Sequence, residues 1–493
     1  MRDDLSLSLT EALSARIRLR FGDILNLRRR IHSDEAGLVE TLGNHLECSF
    51  DEAVSELILG CPASESFRIE TACREPLFQR RIIQTVLETI YSEQIGPPLK
   101  IIPDGFAAEA GSFFSQWKIL RERTVHAVVF EYLPTIANEI FPLMIDAYVH
   151  NLANKNSPQL LFLGVHTSWL DEEARATRAI FYDEDRDELI EMSLASPLLP
   201  DSVHFLCLSP ETHRRYSRIY EAAKVFQVNP YAAAEAADDK YACFLRWRQA
   251  GIPTPDAIRI PGADSSKSLV LEVAANAFHA LFADATEEVT LLVQPNRGTE
   301  GRGARAFTGS PEWKIFLEKN PDLLGHIQNI ACRDEVLLRR GVGNVLLQSA
   351  PGAEFVYFDV RVNTANGKAE SGFIMAAQPR EIIASPSHGG RIVEWKPKRE
   401  FLFQVKPGAN TFPETQEMWD RVKQIAEQAA AGFPECRLAG IDIRLDRFEK
   451  PTPHWVPWVL DLNPRPAGLT HARYFDTGEP GVTRWLWSDL PQK

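Results

Sequence analysis

Near the C-terminus, Ala439-Gly-Ile-Asp442-Ile-Arg444 is followed by Val459-Leu-Asp461-Leu-Asn463-Pro464-Arg465-Pro466. Asp442, Asp461 and Asn463 are the residues here whose oxygens could do chemistry. Both segments alternate apolar and polar residues, the period of a half-buried strand. A strand sends alternate side chains to opposite faces, so Asp461 and Asn463 are expected on one face, with Leu460 and Leu462 behind them. If the strand of Asp442 pairs alongside, three oxygen-bearing side chains converge. A hard divalent cation such as Mg²⁺ suits that set when it already carries nucleotide phosphates and needs only one or two protein carboxylates. An Asx-turn cluster at a strand end would use the same residue types.

The elements that must position these residues can be read back along the chain. Its 493 residues fit two to four domains, and 44% hydrophobic with 25% charged residues is ordinary for a globular protein. A net charge of −13 argues against a general affinity for nucleic acid. No run of about 18 apolar residues is present, so no membrane association is expected. The start Met-Arg-Asp-Asp has no secretory pattern, and seven scattered cysteines without Cys-x-x-Cys spacing point to reduced thiols in a cytoplasm.

Residues 1–100 read as a helical region, with helical spacing over Leu9–Arg30 and Leu77–Tyr91 and a break at Gly96-Pro97-Pro98. Residues 101–230 read as a small α/β domain, with buried strands at Ala127–Phe130, Leu160–Val165 and Val203–Leu208. His166, just after one of these strands, suits either a cleft lining or a structural role. From Ala232 to Ala250 a helix is expected, closed by Gly251 and an extended Ile252-Pro-Thr-Pro255 exit. Strands are expected at Val289–Val293, Ala304–Phe307, Val345–Gln348 and Phe355–Asn363. An amphipathic helix over Glu414–Ala430 should bury Met418, Val422, Ile425, Ala426 and Ala429.

Between two of these strands lies Gln294-Pro-Asn-Arg-Gly298-Thr-Glu-Gly301-Arg-Gly303. It lacks the Gly-Lys-Ser/Thr ending of a Walker loop and the spacing of a dinucleotide fingerprint. A strand–glycine loop–strand unit can fold over a triphosphate and offer backbone N–H groups; an ordinary long hairpin has the same outline. In chain order there follow an Asp-Asp-Lys helix, this loop, Leu346-Leu-Gln348-Ser349, Phe358-Asp359-Val-Arg361, and the Asp442 and Asp461/Asn463 strands. This order resembles the ATP-grasp superfamily, in the branch with glutathione synthetase and the ligase that adds glutamate to a ribosomal protein. The resemblance covers roughly residues 229–475.

The resemblance implies a fold and a set of roles. The expected architecture is α/β (α+β): an ATP-grasp domain over 231–493, with its nucleotide lid at about 255–350, behind the small α/β domain and the helical N-terminal region. Lys240 would reach nucleotide phosphate, and Thr299, Gly301, Arg302 and Gly303 would form the lid loop. Gln348 and Ser349 would border the adenine at a hinge strand, where a Gln-Glu pair is more usual. Arg361 and Arg380 would approach the transferred phosphate and the acceptor carboxylate. Asp442, Asp461 and Asn463 fall on metal positions. Asp359, His388, Gly389, Gly390 and Arg465 line the substrate side. Gln294 stands where the family commonly has a second phosphate-binding lysine; it keeps hydrogen-bonding capacity without the charge, and Arg297 or Arg302 would replace that charge.

The implied activity is ATP-dependent joining of a carboxylate to an amine through an acylphosphate, with release of ADP and phosphate. ATP and Mg²⁺ are the expected cofactors, with Mn²⁺ as an admissible substitute. The partners are small carboxylate and amine substrates, and a homodimer is compatible with this reading. A small-molecule kinase on the same fold and a catalytically silent nucleotide-binding protein are the alternatives. The first releases no free phosphate, and the second would show no turnover.

Overall fold

The computed structural model describes residues 99–101, 123–131, 140–153, 160–183, 188–206, 208–262, 267–298, 301, 303–385, 388–393, 401–405, 410–448, 454–476, 478, 481–483, 486–487 and 490. The helices expected at Leu9–Arg30 and Leu77–Tyr91, and residues Thr299 and Arg302, lie outside these. The chain divides into two compact units, Met1–Gln227 with Pro491–Lys493, and Val228–Leu490.

In the first unit a mixed sheet has the order β1-β5-β4-β3-β2-β6-β7. Its strands are β1 (Leu99–Ile101), β2 (Thr124–Phe130), β3 (Leu160–His166), β4 (Ala176–Asp183), β5 (Glu188–Leu198), β6 (Ser202–Phe205) and β7 (Phe226–Gln227). Helices α1 (Phe141–Ala153) and α2 (Pro210–Ala222) belong to the same unit. The apolar runs of the sequence become the parallel neighbours β3, β2 and β6. Strands buried on both faces need no polar alternation, which is why these runs are nearly continuous. His166 has a structural place here, accepting from the Ser168 N–H at 3.1 Å and meeting the Glu131 carbonyl at 2.9 Å.

The same sheet buries His204 completely, with both ring nitrogens unpartnered. Burial lowers its pKa from 6.5 to about 3. The unfolded chain therefore takes up a proton below pH 6.5 that the folded chain refuses until about pH 3. Stability from the neutral ring is complete above 6.5 and falls away as pH drops. At pH 5 the loss is about 2 kcal/mol. His204→Leu should shrink the difference in urea-unfolding stability between pH 7.5 and pH 5 by about that amount; an unaltered pH dependence would count against it.

The second unit opens with α3 (Tyr231–Asp238) and α4 (Lys240–Gln249). The single helix expected over Ala232–Ala250 is divided at Asp239, whose extended backbone leaves the helix and whose carboxylate caps α4 through the Ala242 N–H at 2.9 Å. Lys240 thus starts a helix instead of sitting within one. An antiparallel sheet of order β10-β9-β11-β8 follows, formed by β8 (Ala257–Ile260), β9 (Val289–Pro295), β10 (Arg305–Gly309) and β11 (Val336–Arg340). Helices α5 (Lys267–Leu281), α6 (Trp313–Lys319) and α7 (Leu323–Ala331) cover one face, where Phe278, Leu291, Val293, Phe316, Ile327 and Leu338 share a core.

A three-stranded sheet joins β12 (Val345–Gln348), β16 (Leu402–Val405) and β17 (Thr411–Pro413). The larger antiparallel sheet has the order β15-β14-β13-β18-β19, from β13 (Phe358–Ala365), β14 (Lys368–Ala376), β15 (Arg391–Val393), β18 (Leu438–Phe448) and β19 (His454–Asn463), with β20 (Arg473–Tyr474) also on β14. Helix α8 (Gln416–Ala431) is capped by the Thr415 hydroxyl and buries all five residues expected of its apolar face. It shares a core with Val360, Val362, Ile441, Ile443, Leu445, Val459 and Leu462. Strict alternation therefore leaves Asp359, Arg361, Asp442, Arg444 and Asp446 on the opposite face. Asn229 fixes where these strands end. It is fully buried, donating to the carbonyls of Leu438 (2.6 Å) and Pro464 (2.5 Å) and accepting from the Leu438 N–H at 3.2 Å.

Candidate functional site

The three oxygen-bearing residues do meet on the polar face of the larger sheet. In the β18–β19 ladder Asp442 pairs with Asp461 and Gly440 with Asn463. Their alignment depends on a β-bulge. Ile443 pairs with Val459, so Leu460 is an extra residue that resets the alternation. Without it Asp461 would share the apolar face of Val459. Leu462 packs behind the site as expected, whereas Leu460 sits in the bulge. The Ile252-Pro-Thr-Pro255 exit holds this spot: the Val459 N–H donates to the Pro253 carbonyl at 2.9 Å, and the Thr254 hydroxyl donates to the Val459 carbonyl at 3.0 Å.

Asp359, Asp442 and Asp461 on this face each meet a cation, whereas Asp446 accepts from the Gly343, Asn344 and Trp458 N–H groups. Arg361 grips Asp442 with both Nε and Nη2, the latter at 3.0 Å to Oδ2. The absence of a side chain on Gly440 lets the Arg361 chain cross, since a Cβ there would lie 2.8 Å from Arg361 Cδ. Asn463 donates its amide to Asp442 Oδ2 at 3.1 Å and to the Gly440 carbonyl at 3.3 Å. Arg444 forks onto Asp359 at 2.6 and 3.0 Å. Burial raises the Asp359 carboxyl pKa, opposed by the charge and hydrogen bonds of Arg444. Asp359 is thus committed to Arg444 and is not presented to a substrate.

Lys240 ties this cluster to the glycine loop. Its Nζ donates to the Gly298 carbonyl at 2.5 Å and lies 3.4 Å from Asp461 Oδ2, in a side chain almost wholly buried. Asn296, fully buried, positions the start of α4. Its Oδ1 accepts from the Tyr241 N–H at 2.9 Å, and its amide reaches Asp239 at 3.1 Å and Glu335 at 3.0 Å. Burial alone would raise the Asp239 carboxyl, but the Ala242 N–H, the Asn296 amide and Arg297 hold it below its ordinary value. Nothing in the sequence pattern marked Asn296 as the fastener of Lys240.

The remaining expected residues fall in distinct places. Gly301 and Gly303 take left-handed backbone in the loop, and the loop's end meets the segment of His388, whose Nε2 lies 3.0 Å from the Ala304 carbonyl. Gly389 and Gly390 close a turn there, Gly390 N–H donating to Ser385 O at 2.9 Å. Arg465 bonds Asp238 of α3. Arg380 is exposed in a left-handed turn, and no hydrogen bond or ion pair joins it to the site among the described residues. Gln348 and Ser349 are not at the edge of the β8–β11 sheet. The chain leaves that sheet at Arg340 and crosses through Gly341–Asn344, anchored by Asp446 accepting from Gly343 N–H (3.1 Å) and Asn344 N–H (2.6 Å). Gln348 donates to Ala353 O at 2.6 Å, and Ser349 bonds Arg391 at 2.5 Å. Along the crossing lies a cavity of about 450 Å³, lined by Arg340, Gly343, Tyr357, Asp446 and Trp458 among others; none of the expected site residues borders it.

Among the described residues no three His, Cys, Asp or Glu side chains form a metal cluster. The set offered is two carboxylates and one amide oxygen, the Asn463 N–H groups being directed to Asp442 and the Gly440 carbonyl. That fits a hard cation whose other ligands are phosphate and water oxygens, and it does not fit a closed zinc-type site.

No family model matches the sequence, and no curated protein matches it. Solved structures with similar chains include D-cycloserine synthetase DcsG, at 12% identity and a TM-score of 0.43, covering 74% of this chain and 98% of that one. The VanG D-Ala:D-Ser ligase from Enterococcus faecalis is similar at 13% identity and a TM-score of 0.41, over 75% of this chain and 98% of that one. The ATP-grasp ligase PsnB, complexed with minimal precursor, is similar at 16% identity and a TM-score of 0.35, over 70% and 91%.

The Asp359–Arg444 pair gives a direct test of this charge arrangement. Asp359→Ala leaves a buried guanidinium uncompensated and should cost about 3–5 kcal/mol in urea unfolding. Asp359→Leu combined with Arg444→Met should recover most of that loss. A single variant no less stable than the double one would contradict the pairing.

Proposed function

We propose that the chain is an ATP- and Mg²⁺-dependent carboxylate–amine ligase acting on an amino acid, peptide or similar small acid. The observation that carries this reading is Lys240, which contacts the glycine loop at Gly298 and the carboxylate pair at Asp461 with one ammonium group. A phosphate-binding loop and a cation-binding pair are useful together when a nucleotide phosphate lies against both.

Joining a carboxylate to an amine in water is uphill, so a carboxylate oxygen must first become a leaving group. Transfer of the γ-phosphoryl of ATP gives an acylphosphate, which the amine attacks with loss of phosphate. Such transfer depends on positioning and charge neutralisation, and needs no nucleophilic side chain. Lys240 and the 298–303 loop would hold the phosphates. Asp442, Asp461 and Asn463 would hold Mg²⁺, or Mn²⁺ in its place, and the ion when bound neutralises phosphate charge. Arg361 has the planar fork for phosphoryl or carboxylate oxygens and stands beside Asp442 on the same face. Arg380, exposed, is available to an acid entering from solvent. Small-molecule substrates agree with a site whose acids are already paired and which offers donors to anions.

The test is phosphate release from ATP across a panel of amino-acid pairs, with mass spectrometry of the products. An amide together with ADP and free phosphate is expected; a phosphorylated product without free phosphate would identify a kinase instead. Asp461→Ala and Arg361→Ala should each lower turnover at least ~100-fold, and activity that survives both would sink the site assignment.

A further inference from the structure

The face of the β8–β11 sheet away from its Phe278 core carries a buried cation that sequence reading passed over. In the β9–β11 ladder Gln294 pairs with Leu337 and Leu292 with Arg339, so Gln294 and Arg339 are diagonal neighbours on one face. Leu337 packs with Phe244 and Tyr241 of α4, so this face meets the helix that begins at Lys240. Arg339 is 4% exposed, and its Nε and Nη2 are buried without a hydrogen-bond partner; Gln294 Nε2 is also buried and unpartnered. Burial lowers the Arg339 pKa against the attraction of Asp461, the carboxylate that Lys240 also approaches.

An unpaired guanidinium in a protein interior is a costly arrangement. The other buried arginines of this unit avoid it: Arg361 has Asp442, Arg444 has Asp359 and Arg465 has Asp238. Every unpartnered atom here is an N–H donor, so the missing partner is rich in acceptors and anionic. Arg297, expected as the substitute for a lysine at position 294, is not this group. It is exposed and turned toward Asp239 (3.5 Å) and Glu235 (3.9 Å).

We propose that Arg339 and Gln294 form an oxyanion seat for the phosphate oxygens of a nucleoside triphosphate, in which β11 supplies the positive charge that β9 lacks. The seat rests on the nucleotide reading above and adds a residue to it. Arg339 and Lys240 would then approach the polyphosphate from two elements, the sheet and the helix against it.

The experiment is calorimetric titration of the full chain with Mg²⁺–ATP, tripolyphosphate and adenosine, with thermal unfolding of the ligand-free protein. Arg339→Met should weaken ATP and tripolyphosphate at least about tenfold and adenosine less than about twofold. It should also raise the ligand-free midpoint by about 2 °C, since a buried unpaired charge is removed. Adding Gln294→Lys to that variant should restore most of the phosphate affinity. A lower midpoint with equal losses for ATP and adenosine would show a packing role and overturn the seat. Unchanged tripolyphosphate binding in Arg339→Met would overturn it too, while leaving ATP-dependent ligation intact. Wild-type protein that binds tripolyphosphate through Arg339 but not ATP would uphold the seat and remove the nucleotide reading; binding of neither overturns both.

Discussion

The fork of Arg361 onto Asp442 across two neighbouring strands is the interaction on which the rest of this site depends. Asp359, Asp442 and Asp461 share one sheet face with little access to water. Unpaired, they would repel one another and lose hydration together. Arg361 and Arg444 cover the first two in bidentate geometry, and Lys240 approaches the third from a helix start. Only with these charges balanced can the opposite face of the same strands bury its aliphatic side chains under α8. The sheet is held by apolar packing on one side, and the other side becomes tolerable through ion pairs.

That balance concentrates hydrogen bonds on Asp442. Arg361 engages both of its oxygens and Asn463 one of them, so a cation bound there would share them with these donors. A glycine at 440 is part of the pairing, because a side chain there would block the path of the arginine.

Much of this was legible in the sequence, and for local reasons. Alternation over Val459–Asn463 put Asp461 and Asn463 on one face and left Asp442 to join them if its strand paired alongside, and helical spacing placed the buried face of α8. What could not be read depends on pairings distant in the chain. The bulge at Leu460 exists only relative to β18, so Leu460 looked like a second buried residue behind the site. The break before Lys240 comes from Asp239 capping its own helix while Asn296 holds it from the glycine loop. Gln348 and Ser349 lie past a handover that no local pattern marks, since Arg340 ends the β8–β11 sheet and Asp446 anchors the crossing. Motif order says which segments follow one another; it does not say at which residue one sheet hands over to the next.

Arg339 shows the same limit from the other direction. In the sequence it is one of two arginines closing the run Val336-Leu-Leu-Arg-Arg340, where a solvated strand end is the ordinary reading. Its neighbour Arg340 behaves that way, in contact with exposed Asp284 at 3.1 Å. Alternation turns the two in opposite directions, and the register with β9 sends Arg339 to the face of Gln294 and α4. A fold that pairs its other buried arginines in this unit and leaves this one with unused donors is not economising on acids, for Asp461 is close enough to be felt. This cation is left without a partner of its own, and an anion entering between Lys240 and Arg339 would meet donors that no internal acid has claimed.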